Sequence, residues 1–234
     1  MILPEGTESE MENVPYAFTV EEIPSEARLT MQYYAYGSSN TPHNVPILIC
    51  YQTKNDCYKA AKSIGTIKGI VVHSTGANNP TLKRYVDYPA KLGKNLYGNH
   101  WNQSGVDKMV HAFIGLDKYN EVKVVQTLPY SYACWGIGSG VNGSYNYSPN
   151  GHIQFEICED QTDDEYYNNV FNVAIRYCAY LCKRFNLSKD SIVSHKEAAE
   201  LGYGSNHGDP DHWLDNYGVT MDQFRLAVYN ELRY

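Results

Sequence analysis

The chain has 234 residues, 43% of them apolar and 19% charged, with a formal net charge of −7. That is enough sequence for one sizeable core, or for one domain with an appendage. The acidic balance excludes the clustered Lys and Arg of a nucleic-acid footprint, and no apolar run approaches the roughly 18 residues of a membrane span.

The N-terminus, Met1-Ile2-Leu3-Pro4-Glu5-Gly6, leads into acidic residues. It lacks the basic start and apolar stretch of a secretory signal, which predicts a protein made in a cytoplasm and not exported by that route. Residues 1–45 are rich in Glu, Pro and small polar residues, with a denser patch at Met31-Gln32-Tyr33-Tyr34-Ala35-Tyr36. They read as an N-terminal extension carrying one or two strands, ahead of a domain over 46–234. In that domain Ile47-Leu48-Ile49 reads as a short strand, and Ile67 to His73 as a buried, β-branched one. Asn79-Pro80 carries the signature of a helix start, Asn as cap and Pro in the first turn. Met109 to Ile114 and Val122 to Gln126 read as strands joined by a hairpin turn over Asp117 to Glu121, and His152 to Cys158 as another strand.

Thr162-Asp163-Asp164-Glu165 fits a capping box. The helix it would open repeats apolar residues at Val170, Phe171, Ala174, Tyr177, Cys178, Leu181 and Phe185, one face of a 3.6-residue period. Ile192-Val193-Ser194-His195 is a second strand-like run ending in His. Thr220 to Gln223 caps a last helix bearing Phe224, Ala227, Val228 and Leu232. The order of signals predicts an α/β fold, a central mixed β-sheet flanked by helices on both faces. The six cysteines form no CxxC pair, which argues against a zinc ribbon and for buried reduced thiols. The 22 tyrosines are amphipathic rings suited to carbohydrate or peptide surfaces and to half-buried packing.

Two histidines, His73 and His195, follow apolar strand-like runs, and strand ends deliver side chains to a common rim. Asn206-His207-Gly208-Asp209-Pro210 supplies a carboxylate on a sharply turning loop. Two imidazoles and one carboxylate make a three-ligand zinc site that leaves the fourth position to water, and hydrolysis is the natural chemistry of such an open site. His207, two residues before Asp209, reads either as a donor to a developing oxyanion or as a ligand itself. Glu156 stands in the otherwise apolar strand His152 to Cys158. A carboxylate there must be paired or face a cleft, and a general base acting on water suits it.

These residues resemble the zinc-dependent N-acetylmuramoyl-L-alanine amidases of the phage endolysin type, which share their fold with the peptidoglycan recognition proteins. Four stretches carry the resemblance: Gly69-Ile70-Val71-Val72-His73-Ser74-Thr75, His111-Ala112-Phe113-Ile114-Gly115, Ile153-Gln154-Phe155-Glu156-Ile157-Cys158-Glu159-Asp160, and Ser205-Asn206-His207-Gly208-Asp209-Pro210-Asp211-His212-Trp213. Gln126-Thr127-Leu128-Pro129 and Trp135-Gly136 are smaller echoes. The resemblance implies a peptidoglycan-recognition-protein-like fold and Zn2+ held by His73, His195 and Asp209. It implies catalytic roles for Glu156 and His207, and cleavage of the amide between N-acetylmuramic acid and L-alanine. Residues 46–234 would be the catalytic domain. The partner would be bacterial peptidoglycan, reached after phage-lysin-like release; oligomeric state and target species stay open.

Two features depart from the family pattern. His195 and Asp209 lie further apart than in shorter members, which keeps His207 in play as a ligand, and Gly136 follows Trp135 where many relatives have His. A zinc peptidase acting within the stem peptide, or a non-catalytic peptidoglycan-binding module, are the alternative readings.

Overall fold

The computed structural model describes residues 29–36 and 43–233. Seven strands form one sheet: β1 (Leu29–Tyr36), β2 (His43–Cys50), β3 (Gly69–Asn78), β4 (Ala112–Leu116), β5 (Val122–Gln126), β6 (His152–Glu159) and β7 (Ile192–Ser194), in the order β1-β2-β5-β4-β6-β3-β7. β4, β6, β3 and β7 run parallel. β5 returns antiparallel to β4, β2 pairs parallel to β5, and β1 pairs antiparallel to β2. The sheet is mixed, as expected. The 1–45 segment contributes β1 to its edge; the rest of that segment, apart from the start of β2, lies outside the described residues.

Side chains alternate across the strands, and the alternation decides what each face holds. Ile70 and Val72 of β3, and Ile153, Phe155 and Ile157 of β6, point into the main core. That core is closed by α3 (Asp164–Phe185) and α6 (Met221–Leu232). The predicted stripe of α3 is there: Val170, Ala174, Tyr177, Cys178 and Leu181 are buried, with Phe171 and Phe185 packed at its border. Each fully buried Ile, Phe or Leu on this face contributes roughly 1.5–3 kcal/mol. The opposite face is covered by shorter pieces. A 3-10 turn (Leu82–Arg84) and α2 (Pro89–Leu92) pack on Leu48, Phe113 and Val125, and α4 (His195–Glu200) packs Ala198 on Val71. α1 (Asp56–Ala60) and α5 (Asp211–Leu214) complete the helices used here. All six cysteines are buried free thiols, and burial pushes Cys50 and Cys57 up to about 12.

Four local expectations are corrected. No helix opens at Asn79-Pro80. Asn79 Oδ1 does accept from Thr81 N (3.1 Å), but Leu116 N donates to Pro80 O (2.8 Å) and Thr81 bridges Leu116. The sheet therefore holds this backbone extended, and only the 3-10 turn follows. The run from Met109 becomes a strand only at Ala112. His195 is the first residue of α4, not the end of β7, because Ser194 caps the helix in a capping box with Glu197.

The fourth correction concerns α3. Thr162 Oγ1 is drawn back to Asp160 Oδ1 (2.9 Å), and the cap is Asp163, which accepts from Tyr166 N (2.9 Å). Asp163→Ala is accordingly expected to cost about 1 kcal/mol, while Thr162→Ala stays near neutral. Denaturant midpoints of the two variants check this; the reverse ranking would restore Thr162 as the cap.

Candidate metal centre

β3 and β7 are paired so that Val72 lies opposite Ser194. The next residues, His73 in the middle of β3 and His195 at the start of α4, therefore stand at the same height along the sheet, so the expectation that His73 ends its strand is corrected as well. β6 flanks β3 on its other side with Glu156 opposite His73. The period of two that sends Val72 and Phe155 into the main core sends His73, Gln154 and Glu156 to the other face.

Behind His195, Glu197 of the capping box is gripped by Arg225 of α6 through two bonds (2.8 and 2.9 Å). The bidentate geometry holds the start of α4 in place. Asp209 arrives on the loop before α5, tied to α4 by Lys196 N donating to Asp209 O (3.3 Å).

The side chains converge. His73 Nδ1 lies 3.1 Å from His195 Nδ1 and 3.1 Å from Asp209 Oδ2, and His195 Nδ1 lies 3.3 Å from Asp209 Oδ1. The ligating atoms of the three residues all fall within 4.8 Å of one another, and all three residues are buried.

The tautomers follow from the surrounding bonds. Ile137 N–H donates to Asn146 Oδ1 (3.2 Å), so that oxygen is an acceptor, and Gln154 Nε2 donates to it as well (3.0 Å). Gln154 Oε1 is left to accept from His73 Nε2–H (3.1 Å). On the other ring, Ser205 Oγ donates to Ile137 O (2.9 Å) and so accepts from His195 Nε2–H (3.2 Å). Both rings thus carry their proton on Nε2 and turn an Nδ1 lone pair toward the other and toward a carboxylate. Two lone pairs and an anion converging at this spacing suit a cation, and a ring whose far N–H is fixed by an outer partner is the usual arrangement of a ligating His. The donor set, two nitrogens and one oxygen, suits Zn2+.

Glu156 is half-buried, and its Oε2 is buried without a hydrogen-bond partner among the described residues. Burial, then the negative charges of Asp209 and Glu159, push its carboxyl well above the usual range, against a smaller pull from Lys108. His207 is set apart from the buried trio: its side chain is 62% exposed, its ring stacks on His195 (4.6 Å between centroids, 10°), and its Nδ1 lies 3.7 Å from Asp209 Oδ1.

Reading the sequence alone missed Gln154, Asn146 and Ser205. Gln154 was findable, since it lies two residues before Glu156 on the same face of β6. Gly136, noted as a departure, has a steric reason here. A Cβ on it would meet Gln154 Oε1 at 2.5 Å and Val110 Cγ1 at 2.8 Å. Gly136→Ala is expected to displace Gln154 and loosen His73, lowering zinc affinity by about 10-fold or more. Competition against a chromophoric chelator measures it; unchanged affinity would show that Gln154 does not orient His73.

Residues 63–212, more than half of the chain, match the N-acetylmuramoyl-L-alanine amidase family. The bifunctional autolysin of Staphylococcus epidermidis is 24% identical over 182 residues, covering 74% of this chain and 12% of the autolysin. The endolysin of Listeria phage A511 is 25% identical over 173 residues, covering 68% of this chain and 44% of the endolysin. The chain therefore spans less than half the length of either of these curated relatives. Among solved structures, Staphylococcus aureus hydrolase AmiA, in complex with its ligand, superposes with a TM-score of 0.54 at 22% identity, covering 99% of this chain and 92% of that one. The catalytic domain of XlyA gives 0.55 at 21%, covering 79% and 99%. These two share the fold.

Proposed function

Since the chain belongs to the N-acetylmuramoyl-L-alanine amidase family, we propose that it hydrolyses the amide between N-acetylmuramic acid and L-alanine in bacterial peptidoglycan. The observation that carries this reading is the convergence of two Nδ1 lone pairs and the Asp209 carboxylate within 4.8 Å. His73, His195 and Asp209 would hold Zn2+. When bound, zinc supplies Lewis acidity toward a carbonyl oxygen and toward water. Glu156 takes a proton from the attacking water at Oε2, the oxygen without another partner. A carboxyl held above its usual range is a stronger base than an ordinary carboxylate. The same oxygen returns the proton to the departing L-alanine amine. His207, exposed beside His195, donates to the oxyanion that develops on the lactyl carbonyl; its exposure and its place outside the buried trio favour this role over ligation. Residues 46–234 form the catalytic domain, with β1 added to its sheet. Cell-wall action is the setting proposed for it. No helix among the described residues is long and apolar enough to cross a membrane.

The test incubates purified protein with peptidoglycan, with and without chelator, and identifies new chemical ends by mass spectrometry. New L-alanine N-termini that vanish on chelation and return with Zn2+ are the expected result. New amines on other stem residues would replace the reading by a stem-peptide peptidase. No new ends, with zinc bound and the wall retained, would replace it by a non-catalytic binding module.

A further inference from the structure

The charge of this chain is unevenly placed. The whole carries −7, yet residues 79–100 contain Lys83, Arg84, Lys91 and Lys94 against one carboxylate, Asp87. Asp87 is directed elsewhere, toward His100 (3.8 Å) and Asn102 (3.3 Å). Lys83, Arg84 and Lys94 make no ion pair among the described residues. They line a cavity of about 130 Å³ together with Asn95, Leu96 and Tyr97. The loop that closes this cavity is held by its own bonds. Asn95 Nδ2 donates to Lys83 O (2.9 Å) and to Asn99 Oδ1 (2.9 Å), Tyr97 N donates to Asn95 Oδ1 (3.0 Å), and Arg84 Nη1 donates to Asn99 O (2.6 Å). So fastened, the loop leaves Leu96 80% and Tyr97 89% exposed, two apolar side chains in water beside unpaired cations.

We propose that this patch docks a phosphodiester polyanion of the bacterial wall, a polymer in which phosphates alternate with polyol or sugar carbon. Two lysine point charges and a guanidinium fork suit phosphate, and the exposed aliphatic and aromatic surface suits the carbon between successive phosphates. A peptide polycarboxylate offers no such alternation. Residues 1–28 carry seven carboxylates against one Arg, whereas residues 29–234 are close to neutral, with 19 carboxylates and 18 Lys and Arg; on that background a local excess of positive charge fixes the face that approaches an anionic wall. The patch is well placed for that. Asn79 and Thr81 line the same cavity just beyond β3, the strand that carries His73, at most about 20 Å and about 26 Å further along the chain at ~3.3 Å per residue. A polymer held there keeps neighbouring peptidoglycan beside the candidate metal centre. The proposal rests on the wall substrate proposed above, but its binding step does not use that centre.

The experiment measures binding of the full chain to soluble poly(glycerol phosphate), at two salt concentrations, with poly-glutamate and single-stranded DNA of matched charge as comparisons. Poly(glycerol phosphate) is expected to bind most tightly. Lys83→Gln/Lys94→Gln is expected to weaken it about tenfold and to flatten its salt dependence. Tyr97→Ala should weaken it at both salts. Hydrolysis of a soluble muramoyl-peptide should be the same in all variants as in the unaltered chain; its absence from the unaltered chain would count against the proposed activity and not against the patch. Equal binding by the double variant, or binding of poly-glutamate or DNA as tight as that of poly(glycerol phosphate), would overturn the proposal.

Discussion

Alanine at His73 is expected to remove zinc and hydrolytic activity together. The substitution deletes the ring whose Nδ1 faces both His195 and Asp209. It also strands Gln154 Oε1, which accepts from the His73 ring, on a side chain that is fully buried. With two donors left, and one supporting acceptor buried without its donor, zinc affinity should fall by at least two orders of magnitude. Metal content after dialysis and release of L-alanine ends from peptidoglycan are read on the same sample. A variant that retains one zinc per chain would remove His73 from the ligand set. A variant that loses zinc yet keeps full activity would remove the metal from the reaction.

Glu156→Gln should separate chemistry from metal binding. The amide has nearly the same shape as the carboxylate, and the two Nδ1 donors and Asp209 are untouched, so zinc content should not change. Loss of the group that takes and returns the proton is expected to lower kcat by about 10²–10⁴-fold. Stability should move the opposite way. A buried carboxyl oxygen without a hydrogen-bond partner, repelled by Asp209 and Glu159, is costly to the folded state, so the neutral side chain should raise the denaturant midpoint. Activity lost while stability is gained marks a group retained for chemistry. Activity within a few-fold of wild type would take Glu156 out of the mechanism.

Much of this architecture was legible from residue patterns, and the exceptions have identifiable causes. β5, β6 and the buried stripe of α3 follow from hydrophobic period alone, because there burial decides the structure. Where two local signals competed, pattern reading chose the weaker one. Thr162 looked like a cap until Asp160 took its hydroxyl, and Asn79-Pro80 looked like a helix start until Leu116 claimed the Pro80 carbonyl. The trio His73, His195 and Asp209 was readable because each residue type can serve as a ligand and each follows a recognisable run. Their supports were not. Asn146 sits in a Gly- and Ser-rich loop with no period, and both chains of bonds lead to the main chain of one residue, which leaves no trace in residue identity.

That residue is Ile137. Its N–H reaches His73 through Asn146 and Gln154, and its carbonyl reaches His195 through Ser205. The two rings therefore take their bearings from a single point on the backbone. Any residue except proline, which lacks the N–H, has these two backbone groups, but the Ile137 side chain is buried against Val71, Tyr145 and Ala198, so substitution at 137 reaches the rings through the packing of its loop. Displacement of the loop pulls both rings from a common origin, and it shifts the pair as a unit more readily than it changes the gap between them. The centre thus depends at its anchor on the packing that holds the loop, and is exposed to movement of the chain that carries it.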